Sequence, residues 1–212
     1  HAVYDGWSMP LVFDRVNRAF VGLETSRPVS FKHFIKYLTS QEPTVSKDYW
    51  KERLHGASPH QFPPLPEKGY ITRADSLVEQ YVNVPTMAHN KLTLATIIRG
   101  AWALTSSLYM GHSDIIFGET LTGRSAPVNA IEEIEGPMIT TVPVRVRLNL
   151  DRPISDFLQQ VHAHTVQQIP HEHLGLQNIR RVSKEARHAC ELRTGLVLHP
   201  KEDENWNEGR TL

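Results

Sequence analysis

The chain has 212 residues, enough for one ordinary domain of roughly 100–200 residues, or somewhat more, with a sizeable core. Its 40% hydrophobic and 22% charged residues match an average soluble protein and exclude a disordered chain. Lys+Arg 23 against Asp+Glu 23 leaves no net formal charge, so no global field gathers nucleic acid or an anionic membrane surface.

The single cysteine, Cys190, cannot close an intrachain disulfide, and no CxxC or Cys/His ligand pattern surrounds it, which fits a reduced, cytoplasmic setting. The longest apolar stretch, Leu92 to Met110, is broken by Arg99, Gly100 and a Thr-Ser-Ser run, short of the about 18 uninterrupted apolar residues of a membrane span. No basic segment followed by an apolar one marks a secretory signal. The chain opens on His1 rather than Met, and the expectation is a processed product or a piece cut from something longer.

From Trp7 to Gly22, Leu11, Val12, Val16, Ala19 and Phe20 recur at helical spacing, with Ser8 as the expected N-cap and Pro10 in the first turn. Phe31 to Leu38 repeats that period, and Ser46 to Leu54 predicts a third helix stopped by Gly56. Pro59, Pro63, Pro64 and Pro66 make 57–69 an extended connector. Leu77 to Val84 is β-branched and roughly alternating, a strand by pattern, and Thr93 to Tyr109 predicts a helix buried on several faces.

Asp114 to Glu119 and Val142 to Leu148 read as strands, the second alternating Val and Arg so that one face is wet. Between them, Thr120 to Pro137 is rich in Gly, Pro, Asn and Glu, a long ordered loop. Ser155 to Gln168 predicts an amphipathic helix, Leu176 to Lys184 a shorter one, and Arg193 to Leu198 a last strand. Trp7, Trp50 and Trp102 fall on apolar helical faces and read as core.

The first residues, His1-Ala-Val-Tyr-Asp5-Gly6, carry the most specific chemistry. An imidazole with a pKa near 6.5 takes and returns protons at neutral pH, a nearby carboxylate can hold a turn by pairing with a distant cation, and Gly6 permits a tight exit. The histidine pairs do not make a metal site. His162 and His164 stand two apart on a predicted helix and cannot face one ion, while His171 and His173 flank Glu172 with no third and fourth ligand nearby in sequence. Arg145 and Arg147 share a strand face that fits a phosphate and a plain wet sheet about equally. Ser106, Ser107 and Cys190 lack the paired base a nucleophile needs.

The segment from His1 to Ser8 resembles the latter part of the HHxxxDG motif of nonribosomal peptide synthetase condensation domains, with the chain starting at the motif's second histidine. The likeness continues in order. Ser46 to Gly56 is similar to the tyrosine/tryptophan helix near the family's lobe junction. Thr96 to Leu104, Asp114 to Arg124 and Ile134 to Arg147 are similar to successive blocks of its C-terminal lobe. Ile169-Pro-His-Glu-His-Leu-Gly-Leu176 falls where the family has its HQDxPFE-type segment, in a form seen in fungal enzymes.

The resemblance implies an α/β fold: a chloramphenicol-acetyltransferase-like lobe of mixed sheet and packed helices, one half of a two-lobed condensation domain. Residues 1–212 would be a partial domain, the catalytic loop plus most of the C-terminal lobe, with the N-terminal lobe absent. The implied reaction is amide formation between thioesters carried on the 4'-phosphopantetheine arms of peptidyl carrier domains. The implied partners are those carriers, the adenylation domain of the same synthetase and the N-terminal lobe, with no cofactor bound directly.

In that setting His1, Asp5 and Gly6 are the catalytic candidates: His1 moves the proton, Gly6 donates a backbone N–H to the oxyanion, and Asp5 pairs structurally with Arg124. A coenzyme-A-dependent acyltransferase sharing only the HxxxDG motif, and a catalytically silent docking module, remain as alternatives.

Overall fold

The computed structural model describes residues 3–57, 60–67, 69–83 and 92–198. Three helices come first: α1 (Ser8–Phe20), α2 (Lys32–Ser40) and α3 (Pro43–Leu54). Helix α3 begins earlier than its sequence period suggests, because Pro43 occupies the first turn and the Glu42 carboxylate accepts from Thr44 N–H. Helix α4 (Leu94–Met110) is capped by the Thr93 hydroxyl and ends at Gly111, whose φ of 66° provides the left-handed exit.

The chain then runs through β1 (Asp114–Leu121), β2 (Thr140–Arg147), α5 (Ile154–Gln168), a short 3-10 helix (Ile169–Leu174), α6 (Leu176–Ile179), α7 (Lys184–Ala189) and β3 (Gly195–Val197). The strands lie in the order β2-β1-β3. Strands β1 and β2 are antiparallel, from Asp114 opposite Arg147 to Leu121 opposite Thr140, and β3 joins β1 in parallel from Gly118 opposite Gly195. A sheet with both orientations and helices packed on it is the α/β lobe that the sequence leads one to expect.

Strand β1 is buried on both faces through Ile115, Ile116 and Phe117, which explains its unbroken apolar run. It packs with Val142, Val144 and Val146 of β2, Trp50 and Leu54 of α3, Ala103 of α4 and Val161 of α5. Helices α4 and α5 meet closely at Gly100, where an added Cβ would stand 2.6 Å from Leu158 Cδ2. A second cluster, Phe34, Ala126, Ile131, Ile134 and Met138, belongs to the loop between β1 and β2 and its contact with α2.

Several expectations are corrected. Residues 77–83 form no strand, and their side chains are exposed; Val84 lies outside the described residues. A period of two is not enough without a neighbouring strand to complete its hydrogen bonds. Arg145 is not on a wet face: it is 2% exposed, and its guanidinium pairs with Asp114 at 2.7 Å and donates to the carbonyls of His55 and Gly56. Only Arg147 of that pair is exposed.

The helix expected from Leu176 to Lys184 is two helices, since the Ser183 hydroxyl accepts from Ala186 N–H and starts α7 afresh. The last strand shortens to Gly195–Val197. Of Trp7, Trp50 and Trp102, Trp50 is fully buried whereas the other two are half-buried. Among the described residues, no helix is long and apolar enough to cross a membrane.

Trp50 fills the centre of the main core, and its Nε1–H donates to the His171 carbonyl at 3.0 Å. Truncating a buried aromatic costs about 3–5 kcal/mol. Trp50→Ala is therefore expected to lose at least that much in a urea melt, and Trp50→Phe, which keeps most of the volume but strands the carbonyl, about 1–3 kcal/mol.

Candidate active site

The loop leading into α1 is organised by Asp5, which is buried to 2% exposure. Its Oδ1 accepts Ser8 N–H at 2.8 Å, its own N–H donates to Ser8 Oγ at 2.9 Å, and its carbonyl accepts Met9 N–H at 3.1 Å. Ser8 is therefore not the N-cap but the first helical residue, after Trp7 at the cap position, and its N–H is satisfied by the Asp5 carboxylate. A carboxylate at a helix N-terminus also faces the positive end of the helix dipole.

The other oxygen of Asp5, Oδ2, reaches across the chain to accept Met138 N–H at 2.8 Å. Arg124 Nη2 lies 3.4 Å from Oδ1. The two candidates for a structural pair are therefore brought together, with side-chain exposures of 1% for Arg124 and 3% for Asp5. Burial alone would raise the Asp5 pKa, but the Met138 and Ser8 hydrogen bonds and the Arg124 charge outweigh it and hold the carboxyl below its ordinary range. Such a group stays ionised near neutral pH and is unsuited to shuttling protons there.

Arg124 does more than pair with Asp5. Its Nη1 donates to the carbonyls of Ile131 at 2.7 Å and Ile134 at 3.0 Å, and Nη2 donates to Gly136 at 3.1 Å. The guanidinium lies 5.7 Å from the centre of the Trp7 ring, and Trp7 Nε1–H donates to the Glu132 carbonyl. One side chain therefore gathers the turns of the 122–138 loop under the start of α1. Burial lowers the Arg124 pKa, with Asp5 opposing the shift.

The preceding residue, Gly123, has φ of +71°, and a Cβ there would stand 1.8 Å from the Met138 carbonyl oxygen. The Gly-Arg step is thus a fixed conformation in which no side chain fits at the first position. Gly6 is exposed, with open space where a Cβ would stand. His1 and Ala2 lie outside the described residues.

A second polar cluster joins α4, β1 and the Ile169–Leu174 segment. Arg99 donates Nε–H to both oxygens of Glu119 at 2.8 Å, and its Nη2 stands 2.6 Å from Oε1, with both residues buried. Glu172, 2% exposed, has its pKa raised to about 7 by burial and then by the Glu119 charge. Its Oε1 accepts no hydrogen bond among the described residues: His173 Nε2 sits 3.4 Å away but faces the Gly123 carbonyl at 2.9 Å.

Sequence reasoning did not single out Arg99, Glu119 or Glu172. An arginine in the apolar α4 and a glutamate in the apolar β1 were the available signal for the first two, because opposite charges on two core elements must meet. Nothing local marked Glu172 as buried.

The remaining histidines diverge. His162 Nδ1 lies 3.3 Å from Thr96 Oγ1, whereas His164 is pushed down to about 4 by burial and by the Arg53 and Arg147 charges. Among the described residues, no group of three or more His, Cys, Asp or Glu could hold a metal ion. Cys190 is pushed up to about 12 by burial, which keeps it a thiol.

The family model described as Condensation domain matches residues 1–196. The chain belongs to the condensation-domain family. It is 79% identical over 204 residues to nonribosomal peptide synthetase 6 of Alternaria brassicicola, covering 96% of this chain and 14% of that protein. It is 56% identical over 205 residues to the nonribosomal peptide synthetase SIDD of Beauveria bassiana, covering 96% of this chain and 11% of that one. The chain thus spans only a small part of the synthetases it resembles.

Among solved structures, the starter condensation domain of rhizomide synthetase superposes with a TM-score of 0.68 at 17% identity, over 94% of this chain and 48% of that one. The first condensation domain of the calcium-dependent antibiotic synthetase gives 0.64 at 14%, over 93% and 48%. At such identities the likeness is one of fold. It places this chain's helices and mixed sheet on about half of a condensation domain.

Two predictions follow from the polar contacts. Removing one member of a buried pair strands the other at a cost of about 3–5 kcal/mol. Asp5→Ala and Arg124→Ala are each expected to destabilise the chain in a denaturant melt, and the double variant by less than the sum; additive losses would rule out coupling between the two.

Glu172 has its folded pKa above its unfolded value, so its protonation favours folding below about pH 4.5, and that contribution is lost as pH rises through about 7. Melts at pH 5 and pH 8 should differ in the native chain, and Glu172→Gln should reduce the difference.

Proposed function

We propose that this chain supplies the catalytic loop and most of one lobe of a condensation domain that joins carrier-bound aminoacyl or peptidyl groups through an amide bond. The observation that carries this reading is the fixed Asp5 carboxylate: buried, ionised and held by Ser8, Met138 and Arg124. It leaves the proton-moving task of the His1-to-Gly6 segment to His1. Asp5 and Arg124 act as the structural pair that sets the loop's position.

The chemistry is aminolysis of a thioester. The acceptor's amine nitrogen attacks the donor's thioester carbonyl carbon, a C–N bond forms, and the tetrahedral intermediate expels the thiolate as the C–S bond breaks. An α-amino group has a pKa near 8, so a useful fraction is already neutral at pH 7. The harder steps are holding the amine near the carbonyl, within about 3 Å, and taking the proton from the ammonium of the intermediate. His1 takes that proton and passes it to the departing sulfur. The exposed Gly6 can offer its backbone N–H to the oxyanion without side-chain obstruction.

Both substrates would arrive on 4'-phosphopantetheine arms of peptidyl carrier domains, one loaded by the adenylation domain of the same synthetase. The other lobe of the domain would close the channel. What supports this is the family membership together with the small share of each relative that the chain covers.

The test is single-turnover amide formation in the synthetase that carries this segment, with loaded carrier domains. His1→Ala is expected to lower the rate by about 10²–10⁴-fold, toward the lower end because the amine is partly neutral, with the melting temperature unchanged. A rate within about twofold of the native one would reduce His1 to a lining residue. Turnover with a soluble acyl-coenzyme A and a free amine, but not with loaded carriers, would favour an acyltransferase instead.

A further inference from the structure

The segment Ile169–Leu174 is fastened to the body of the lobe through His171, Glu172 and His173. His171 stacks on Tyr49 with ring centres 4.1 Å apart, and its Nδ1 lies 3.0 Å from Ser46 Oγ. Its carbonyl accepts from Trp50, and the Glu172 carbonyl accepts Thr140 Oγ1–H at 2.9 Å. The ring of His173 meets Phe34 edge-on at 5.0 Å. Helices α2 and α3 and strand β2 thus fix where His173 can point.

His173 points at the loop that carries Arg124. Its Nε2 is 2.9 Å from the Gly123 carbonyl oxygen. A carbonyl only accepts, so Nε2 carries the proton, and burial keeps the ring neutral by lowering its pKa. The same ring would stand 2.8 Å from a Cβ at position 123, so it also walls the turn by contact. Gly123 is bonded directly to Arg124, whose guanidinium meets Asp5, and Met138 packed against the same turn donates its N–H to Asp5.

We infer that His173 is a positioning residue for the Asp5–Gly6 loop: its Nε2–H holds the Gly123 carbonyl, and so fixes the turn from which Arg124 and Met138 grip Asp5. The inference rests on the function proposed above only for its catalytic consequence; the mechanical link stands on the contacts themselves. Glutamine places an N–H donor near the position of Nε2, whereas leucine fills similar space without one.

The link can be read without catalysis, by amide hydrogen exchange on the full 212-residue chain. His173→Leu is expected to lower the protection of the Met138 amide by about tenfold or more while the β1–β2 ladder amides stay unchanged, and His173→Gln to restore it. A uniform loss across the ladder, or no change at Met138, would overturn the link.

In the synthetase carrying this segment, His173→Leu should lower kcat for amide formation by about 10- to 100-fold, the scale for a displacement of about 1 Å, with KM for the loaded carriers little changed. His173→Gln should recover to within about threefold. A fall in KM affinity alone, or equal losses for Gln and Leu, would overturn the positioning role. If the native synthetase forms no amide while the exchange pattern holds, the mechanical link survives and the proposed function fails.

Discussion

A single buried guanidinium ties the loop before α1 to the loop between β1 and β2. Arg124 directs Nη1 and Nη2 to three carbonyls of its own loop and to one carboxylate from far away in the chain, while its buried Nε finds no partner among the described residues. A cation without water is costly, and the contacts offset that cost only if every turn of 122–138 delivers its carbonyl to the right place. The loop is therefore ordered by its own arginine. Its small apolar cluster around Ile134 and Met138 excludes the solvent that would otherwise compete.

That arrangement explains why Asp5 serves as a structural anchor rather than a proton carrier. Asp5 is pinned at both oxygens, so its carboxylate has no freedom to approach a substrate and no tendency to take up a proton near neutrality. The Arg99–Glu119 pair joins α4 to β1 in the same way. Glu172 then meets a site already occupied by a negative charge, which favours its neutral form.

Much of the fold was legible in the sequence because its elements are decided locally. Helices α1, α2, α4 and α5 and strands β1 and β2 follow the apolar period, and the stop at Gly56 and the proline-rich connector sit where expected. The failures share one cause. Residues 77–83 have a strand's pattern with no strand beside them among the described residues, and Arg145 looks solvated until Asp114 and the His55 and Gly56 carbonyls just after α3 enclose it. Periodicity reports which side of an element is apolar, not what the tertiary structure brings to the other side. Asp5 and Arg124 were readable as a pair from family resemblance; the carbonyl cage about Arg124 and the His173 bond were not, because backbone acceptors carry no residue identity.

The reach of the Asp5 contacts has a consequence for how the lobe assembles. Asp5 and Met138 are separated by 133 positions, and Asp5 and Arg124 by 119. Closing so long a segment is entropically opposed until the intervening helices and strands have formed, so these contacts are expected to form late in folding. During synthesis from the N-terminus, the entry loop leaves the ribosome well before the residues that neutralise and cap it exist. The nascent Asp5 must wait in water, and the loop takes its working shape only once most of the lobe has been made.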